Sequence, residues 1–149
     1  MDGAEVPPMR TLEEQIEVTA PVGTAWSQLH RVAEYPLFVA GVVHASAHGR
    51  HHALLDVEFG GERHAVDAEL TDHGRGRVMS WETVDGPPLR GTFALRALDA
   101  AHTRVQLRLE YDPQELTDAM GGPRGFAQSH AVEEAVRADL ELFKQLCEE

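Results

Sequence analysis

The chain is nearly without cysteine. Cys147 stands alone, so no internal disulfide can form, and such usage fits a reducing compartment. It is also short of positive charge: 13 Lys and Arg stand against 25 Asp and Glu, a formal net charge of −12. That surface repels phosphate backbones and anionic headgroups, which argues against nucleic acid or a membrane surface as partner. No apolar run approaches the roughly 20 residues that span a bilayer, so stable membrane insertion is not expected. Residues 1–10 carry Asp2, Glu5 and Pro7-Pro8 instead of a basic start and an apolar stretch, so they read as a disordered leader and not a signal peptide. A cytoplasmic location is the expectation. There are no repeats, no low-complexity tract and no interdomain linker. The remaining composition, 42% hydrophobic and 26% charged, is that of a globular domain. A single domain over 11–149 buries roughly 68–70% of its unfolded surface, enough for a real core.

Periodicity and turn residues divide that domain. Leu12, Glu14, Ile16 and Val18 alternate with Glu13, Gln15 and Glu17, which predicts a first strand. Pro21 suits the first position of a helix whose one face carries Val22, Ala25, Trp26 and Leu29. Pro36 disfavours helix at Tyr35, so two short helical pieces are expected there. Gly49-Arg50, Gly60-Gly61, 72–76 and 85–88 then punctuate a series of strands. The cleanest strand is Thr103–Tyr111, with Val105, Leu107, Leu109 and Tyr111 on a dry face and Arg104, Gln106, Arg108 and Glu110 on a wet one. Residues 112–125 read as irregular, with a helical turn near Leu116–Met120. Phe126–Leu146 reads as a long helix carrying an apolar stripe through Val132, Val136, Leu140 and Phe143, with Glu133 and Arg137 paired at i,i+4. The implied fold is α+β: a curved antiparallel sheet of six or seven strands around one C-terminal helix, with two short helices after the first strand. Alternation assigns Leu55, Val57 and Phe59; His64, Val66, Ala68 and Leu70; Met79, Trp81 and Thr83; and Phe93 and Leu95 to the inner face. In residues 77–84, Val78 and Val84 compete for the same side.

Ala20-Pro21, Trp26, Leu29, Tyr35-Pro36 and Phe38 resemble the opening signature of the START/Bet v 1-like (SRPBCC) superfamily, in its polyketide cyclase/dehydrase branch. Trp81–Gly86, Thr103-Arg104-Val105 running to Glu110-Tyr111-Asp112-Pro113, and Asp139-Leu140 with Phe143-Lys144 resemble later parts of that branch. The resemblance covers about residues 11–148. It implies a helix-grip fold and a cavity between sheet and helix for a hydrophobic small molecule, a polyketide-like metabolite or a lipid. Some members of the superfamily are enzymes. Its aromatase/cyclases line the cavity with aromatics and place an Arg, a Tyr and a hydroxyl near the reacting carbons. Here aromatics make up only 6% of the chain and alternation puts no Arg inside, so no catalytic residue is assigned.

The ligand-contacting candidates are Phe59, His64, Trp81, Phe93, Tyr111, Phe126, Ser129 and His130. Trp81 and Phe93 sit at the sheet centre, where an apolar wall belongs. Tyr111 can aim a hydroxyl at a ligand, although a buried Tyr needs a partner in any case. His64 is the one ionisable group expected on the inner face of a central strand, and suits either a hydrogen bond or acid–base work. The alternative for it is a core histidine bonded to main chain. Ser129 and His130 fall near the start of the closing helix, at the expected cavity mouth. His44, His48, His51 and His52 do not have zinc spacing: on a strand, His44 and His48 lie roughly 13 Å apart. No metal and no cofactor are called for. Residues 121–125 lack the lysine of a phosphate loop and read as a gate. Three readings of function follow: a domain that guides polyketide cyclisation or dehydration, a carrier, or a sequestering self-resistance protein. Monomer and homodimer both remain open. The charge reading predicts no complex with duplex DNA at physiological salt; a sub-micromolar, salt-sensitive complex in a fluorescence anisotropy titration overturns it.

Overall fold

The structure, a computed structural model, describes residues 10–39, 41–49, 51–59, 62–73, 77–85, 89–112 and 131–149. Seven strands make one antiparallel sheet: β1 (Arg10–Val18), β2 (Val42–His48), β3 (His52–Phe59), β4 (Glu62–His73), β5 (Arg77–Asp85), β6 (Leu89–Asp99) and β7 (His102–Tyr111). Their spatial order is β1-β7-β6-β5-β4-β3-β2. From β2 onward each strand pairs with its sequence neighbour, as the turn residues between them require. β1 pairs with β7, so β1 and β2 are the two edges of an unclosed sheet. Helix α1 (Val22–Leu29) and a 3₁₀ helix (Val32–Leu37) carry the chain from one edge to the other, and α2 (Ala131–Glu148) packs on β1 and α1. This is the helix-grip α+β fold, with seven strands.

Three boundaries differ from the sequence reading. β1 begins at Arg10, which had been placed in the leader and instead extends the alternation two residues back from Leu12. Pro21 is the N-cap of α1 and not its first helical residue; its carbonyl accepts from the Thr24 and Ala25 N–H groups. The helical break comes at residues 30–31, ahead of Tyr35, and Pro36 lies inside the 3₁₀ helix, whose φ its ring already matches. The contest in 77–84 goes to Met79, which is 1% exposed, over Val84, which is 56% exposed.

Register decides what shares the inner face. Ile16, Val105 and Leu95 are cross-strand partners in one row, and Leu12, Leu109 and Gly91 in another. Against these rows α2 presents Val132, Val136, Leu140, Phe143 and also Cys147, which continues the stripe beyond Leu146. The tightest packing lies where α1, α2 and the sheet meet: Phe143, Leu29, Met79, Val18 and Val105 are all under 2% exposed. Phe38 meets Phe143 edge-on at 5.1 Å and Tyr35 at 5.5 Å, which links the 3₁₀ helix to α2 through three rings. Thr103, fully buried among them, keeps its hydroxyl satisfied by donating to the Ala20 carbonyl at 2.8 Å. A second cluster of Val32, Val42, Ala45 and Ala53 fixes the 3₁₀ helix onto β2 and β3. β2 is short and kinked. Gly41 and Gly49 flank it at φ +87° and +73°, and its pairing with β3 slips between Val42 and His44.

Phe143 joins the sheet, α1 and the 3₁₀ helix at one point. Phe143→Ala is therefore expected to lower unfolding free energy by about 3–5 kcal/mol, read as a fall in urea midpoint at constant m-value.

Candidate functional site

The inner face is unevenly filled. Under α1 and α2 most side chains are buried, Leu12 and Ile16 on the β1 edge excepted. Toward β3, β4 and β5, and at the start of β6, they are not: Leu55, Val57, Leu70, Trp81, Leu89 and Phe93 are inward-facing apolar groups only half-buried. A stretch of apolar surface on the grip side of the sheet is thus left uncovered by the described helices.

Trp81 is placed by a residue that the alternation pattern passes over. Gly91 is its cross-strand partner, and a Cβ built there comes within 2.5 Å of the Trp81 indole Cε2. The indole lies flat across the neighbouring strand because Gly91 leaves it room. A glycine inside a strand often marks such close approach, and that signal was present in the sequence. Phe93, two residues on, shares the face and pairs with Met79 and Leu107.

The polar groups on this face are few and mostly engaged. The Thr83 hydroxyl accepts from the Leu89 N–H at 3.1 Å and closes the β5–β6 hairpin. Glu14, opposite Leu107, accepts from Arg137 Nε at 2.8 Å, and Arg137 also reaches Glu133 at 2.5 Å. These two carboxylates hold the guanidinium protonated above its ordinary range, the Glu14 hydrogen bond contributing most. Tyr111 is 2% exposed, and burial pushes its hydroxyl pKa up; the Arg10 charge opposes that shift and Glu133 adds to it. Arg10 is the Cα partner of Tyr111 and shares its face, so one arginine does stand on the inner side of the sheet, at its rim. His64 of β4, opposite Val57 of β3, is half-buried, and its Nε2 is shielded from solvent with no hydrogen-bond partner among the described residues.

The far end of β4 carries a separate arrangement. His30, at the C-terminus of α1, faces the Trp26 carbonyl through Nδ1 at 2.8 Å and the Asp72 carboxylate through Nε2 at 2.9 Å. Its ring meets that of Trp26 at 4.5 Å, tilted by 55°. The Tyr35 hydroxyl donates to the Leu29 carbonyl at 2.8 Å; burial, helped by the nearby Asp72 charge, pushes its pKa far up. Sequence reading did not pair His30 with Asp72, since their contact depends on how α1 crosses the sheet.

The structure thus brings His64, Trp81, Phe93 and Tyr111 to one face. Phe59 pairs with Glu62 through its backbone, and its side chain lies outside the described residues. Phe126, Ser129 and His130 also lie outside them, as do the helical turn expected near Leu116–Met120 and the gate at 121–125. His44 and His52 are on the opposite, outer face, each against a carboxylate: Asp56 at 3.8 Å and Asp67 at 3.1 Å.

The family described as polyketide cyclase / dehydrase and lipid transport matches residues 18–138. The chain belongs to that family. An uncharacterised 17.2 kDa protein of Streptomyces lincolnensis, encoded in the melC2-rnhH intergenic region, is 31% identical over 142 residues, 95% of this chain and 91% of that protein. Among solved structures, the Zhui aromatase/cyclase from Streptomyces sp. R1128 superposes with a TM-score of 0.76 at 20% identity, over 94% of each chain. A START superfamily protein from Mycobacterium smegmatis gives 0.73 at 14% identity, over 92% of this chain and 96% of that one. These structural likenesses are to the fold.

Two buried acids set the alkaline limit. Burial, with Glu148 adding, pushes the Cys147 thiol up from 9.0 to about 11, and Tyr35 is raised further still. Each group keeps its proton in the folded chain after the unfolded chain has lost it, so folding stability falls as pH rises above 9. Urea midpoints measured from pH 8 to 11 are expected to drop steadily, and Cys147→Ala should remove the earlier part of that drop.

Proposed function

We propose that the protein binds a hydrophobic, polyketide-like small molecule between the inner face of the sheet and α2, and holds it without changing it. The observation that carries the reading is the set of half-buried inward aromatics, Trp81 over Gly91 beside Phe93, in a chain of the polyketide cyclase / dehydrase and lipid transport family. Apolar walls with few polar groups are what small-molecule sites present. The likeness to an aromatase/cyclase supports the polyketide ligand class.

Carriage or sequestration is favoured over cyclisation by the state of the polar groups. Among the described residues, the Thr83 hydroxyl is engaged with Leu89 and the Glu14 carboxylate with Arg137. General acid–base work needs a group within hydrogen-bond reach of the proton it moves, at more than one point along a cyclising chain. One inward histidine, with Tyr111 held protonated by burial and Arg10 at the rim of the sheet, does not supply that. The cyclase reading retains the family and the fold in its favour, and turnover separates the two.

A tricyclic anthraquinone is a suitable ligand for the test. It is expected to quench tryptophan fluorescence and to stabilise the fold by about 2.7 kcal/mol at a hundredfold excess over Kd. Phe93→Ala should weaken binding about tenfold, roughly 1.4 kcal/mol. Trp81→Phe should retain binding while losing most of the quench. No quench and no thermal shift with a panel of hydrophobic aromatic metabolites sinks the proposal.

A further inference from the structure

His64 presents a cost that nothing in the described fold offsets. Its position is set by β4, where it alternates with Val66 and Ala68 on the inner face, opposite Val57. It is the one residue among those described whose side chain carries a buried nitrogen or oxygen with no hydrogen-bond partner. A buried polar group left unsatisfied destabilises the fold, whereas an apolar side chain of similar size at that position does not. Thr103, buried in the same inner layer, shows the ordinary solution, since its hydroxyl reaches a main-chain carbonyl. Thr83 and Glu14 likewise have partners. The wall is therefore polar at one unsatisfied point and apolar around it, with Leu55, Val57 and Val66 beside that point.

We infer that His64 is the specificity-determining group of the cavity: its Nε2, shielded from solvent in the chain alone, hydrogen-bonds an oxygen of the ligand once the ligand displaces the side chains that shield it. The ligand must therefore carry an oxygen, phenolic or ketonic, on an otherwise apolar frame. This rests on the cavity reading above and deepens it. A plain acyl chain cannot satisfy the nitrogen, whereas an oxygenated aromatic can. Pockets discriminate strongly when a ligand lacking the matching polar atom leaves the site's own polar group unpaired. His64 binds in this scheme and moves no proton, in keeping with a carrier.

Two probes of matched shape test the inference, 2-naphthol and 2-methylnaphthalene, each titrated by displacement of Nile red from the native protein and from His64→Leu. The measured quantity is the ratio of the two affinities. It is expected to favour naphthol about tenfold more in the native protein than in His64→Leu, since one buried hydrogen bond and its unsatisfied alternative differ by about that factor. His64→Leu should bind 2-methylnaphthalene at least as well as the native protein does. It should also melt about 2–4 °C higher, because the substitution removes an unpaired polar atom from the interior. An unchanged ratio overturns the inference, and so does a melting temperature several degrees lower, which would mark His64 as an ordinary satisfied core residue. Failure of both probes to displace Nile red from the native protein removes the cavity reading itself, a result distinct from equal binding of the two.

Discussion

A seven-stranded sheet has more apolar face than one helix can cover, and this mismatch governs the molecule. A helix is about 10 Å across and strands lie about 4.8 Å apart, so α2 shields roughly two strands of a sheet nearly 30 Å wide. It settles on β1, at one edge. At the other edge, β2 and β3 are covered by the 3₁₀ helix through Val32. α1 bridges the two and presses on β6 and β7. The middle strands curve beneath this arch, and their inward side chains have less to pack against. The half-burial of Trp81 and Phe93 is therefore a result of geometry and needs no local defect in packing.

The same geometry explains how charge is handled on the inner side. A carboxylate at Glu14 lies on the face that also holds Ile16 and Val18, where an isolated charge is unfavourable. Arg137 arrives from α2 to pair with it, and Glu133 steadies Arg137 one helical turn earlier. Side chains from opposite ends of the chain thus hold the start of the helix against the first strand. Such an exposed pair adds little to stability by itself. Its role is orientation: it helps set the angle at which α2 crosses the sheet and hence how much of the inner face stays open.

Much of the fold was legible in the sequence because most strands bury only one face. β7 is the clearest case: Val105, Leu107, Leu109 and Tyr111 are all buried, and the residues between them are not. Legibility failed where a position's character came from the third dimension. Arg10 looked like part of a charged leader and is the first residue of β1, because its backbone has β7 to pair with. Gly91 carries no side chain, so a scheme that counts inward side chains misses it, yet it fixes how Trp81 lies. His64 was assigned inward by alternation alone, and correctly so. That one of its nitrogens has no partner was not readable, since satisfaction depends on every neighbour at once. The contacts His30–Asp72 and Arg137–Glu14 join residues 42 and 123 positions apart, beyond the reach of any local pattern.

An unclosed sheet leaves two edges, β1 and β2, and β2 is the one away from α2. Its outer row of main-chain groups is a template on which another chain's strand could grow, the first step of edge-to-edge aggregation. The slip between Val42 and His44 breaks the flat register such growth needs, and the left-handed glycines at 41 and 49 confine the strand to seven residues. The kinked, shortened edge leaves little flat backbone on which such growth could start.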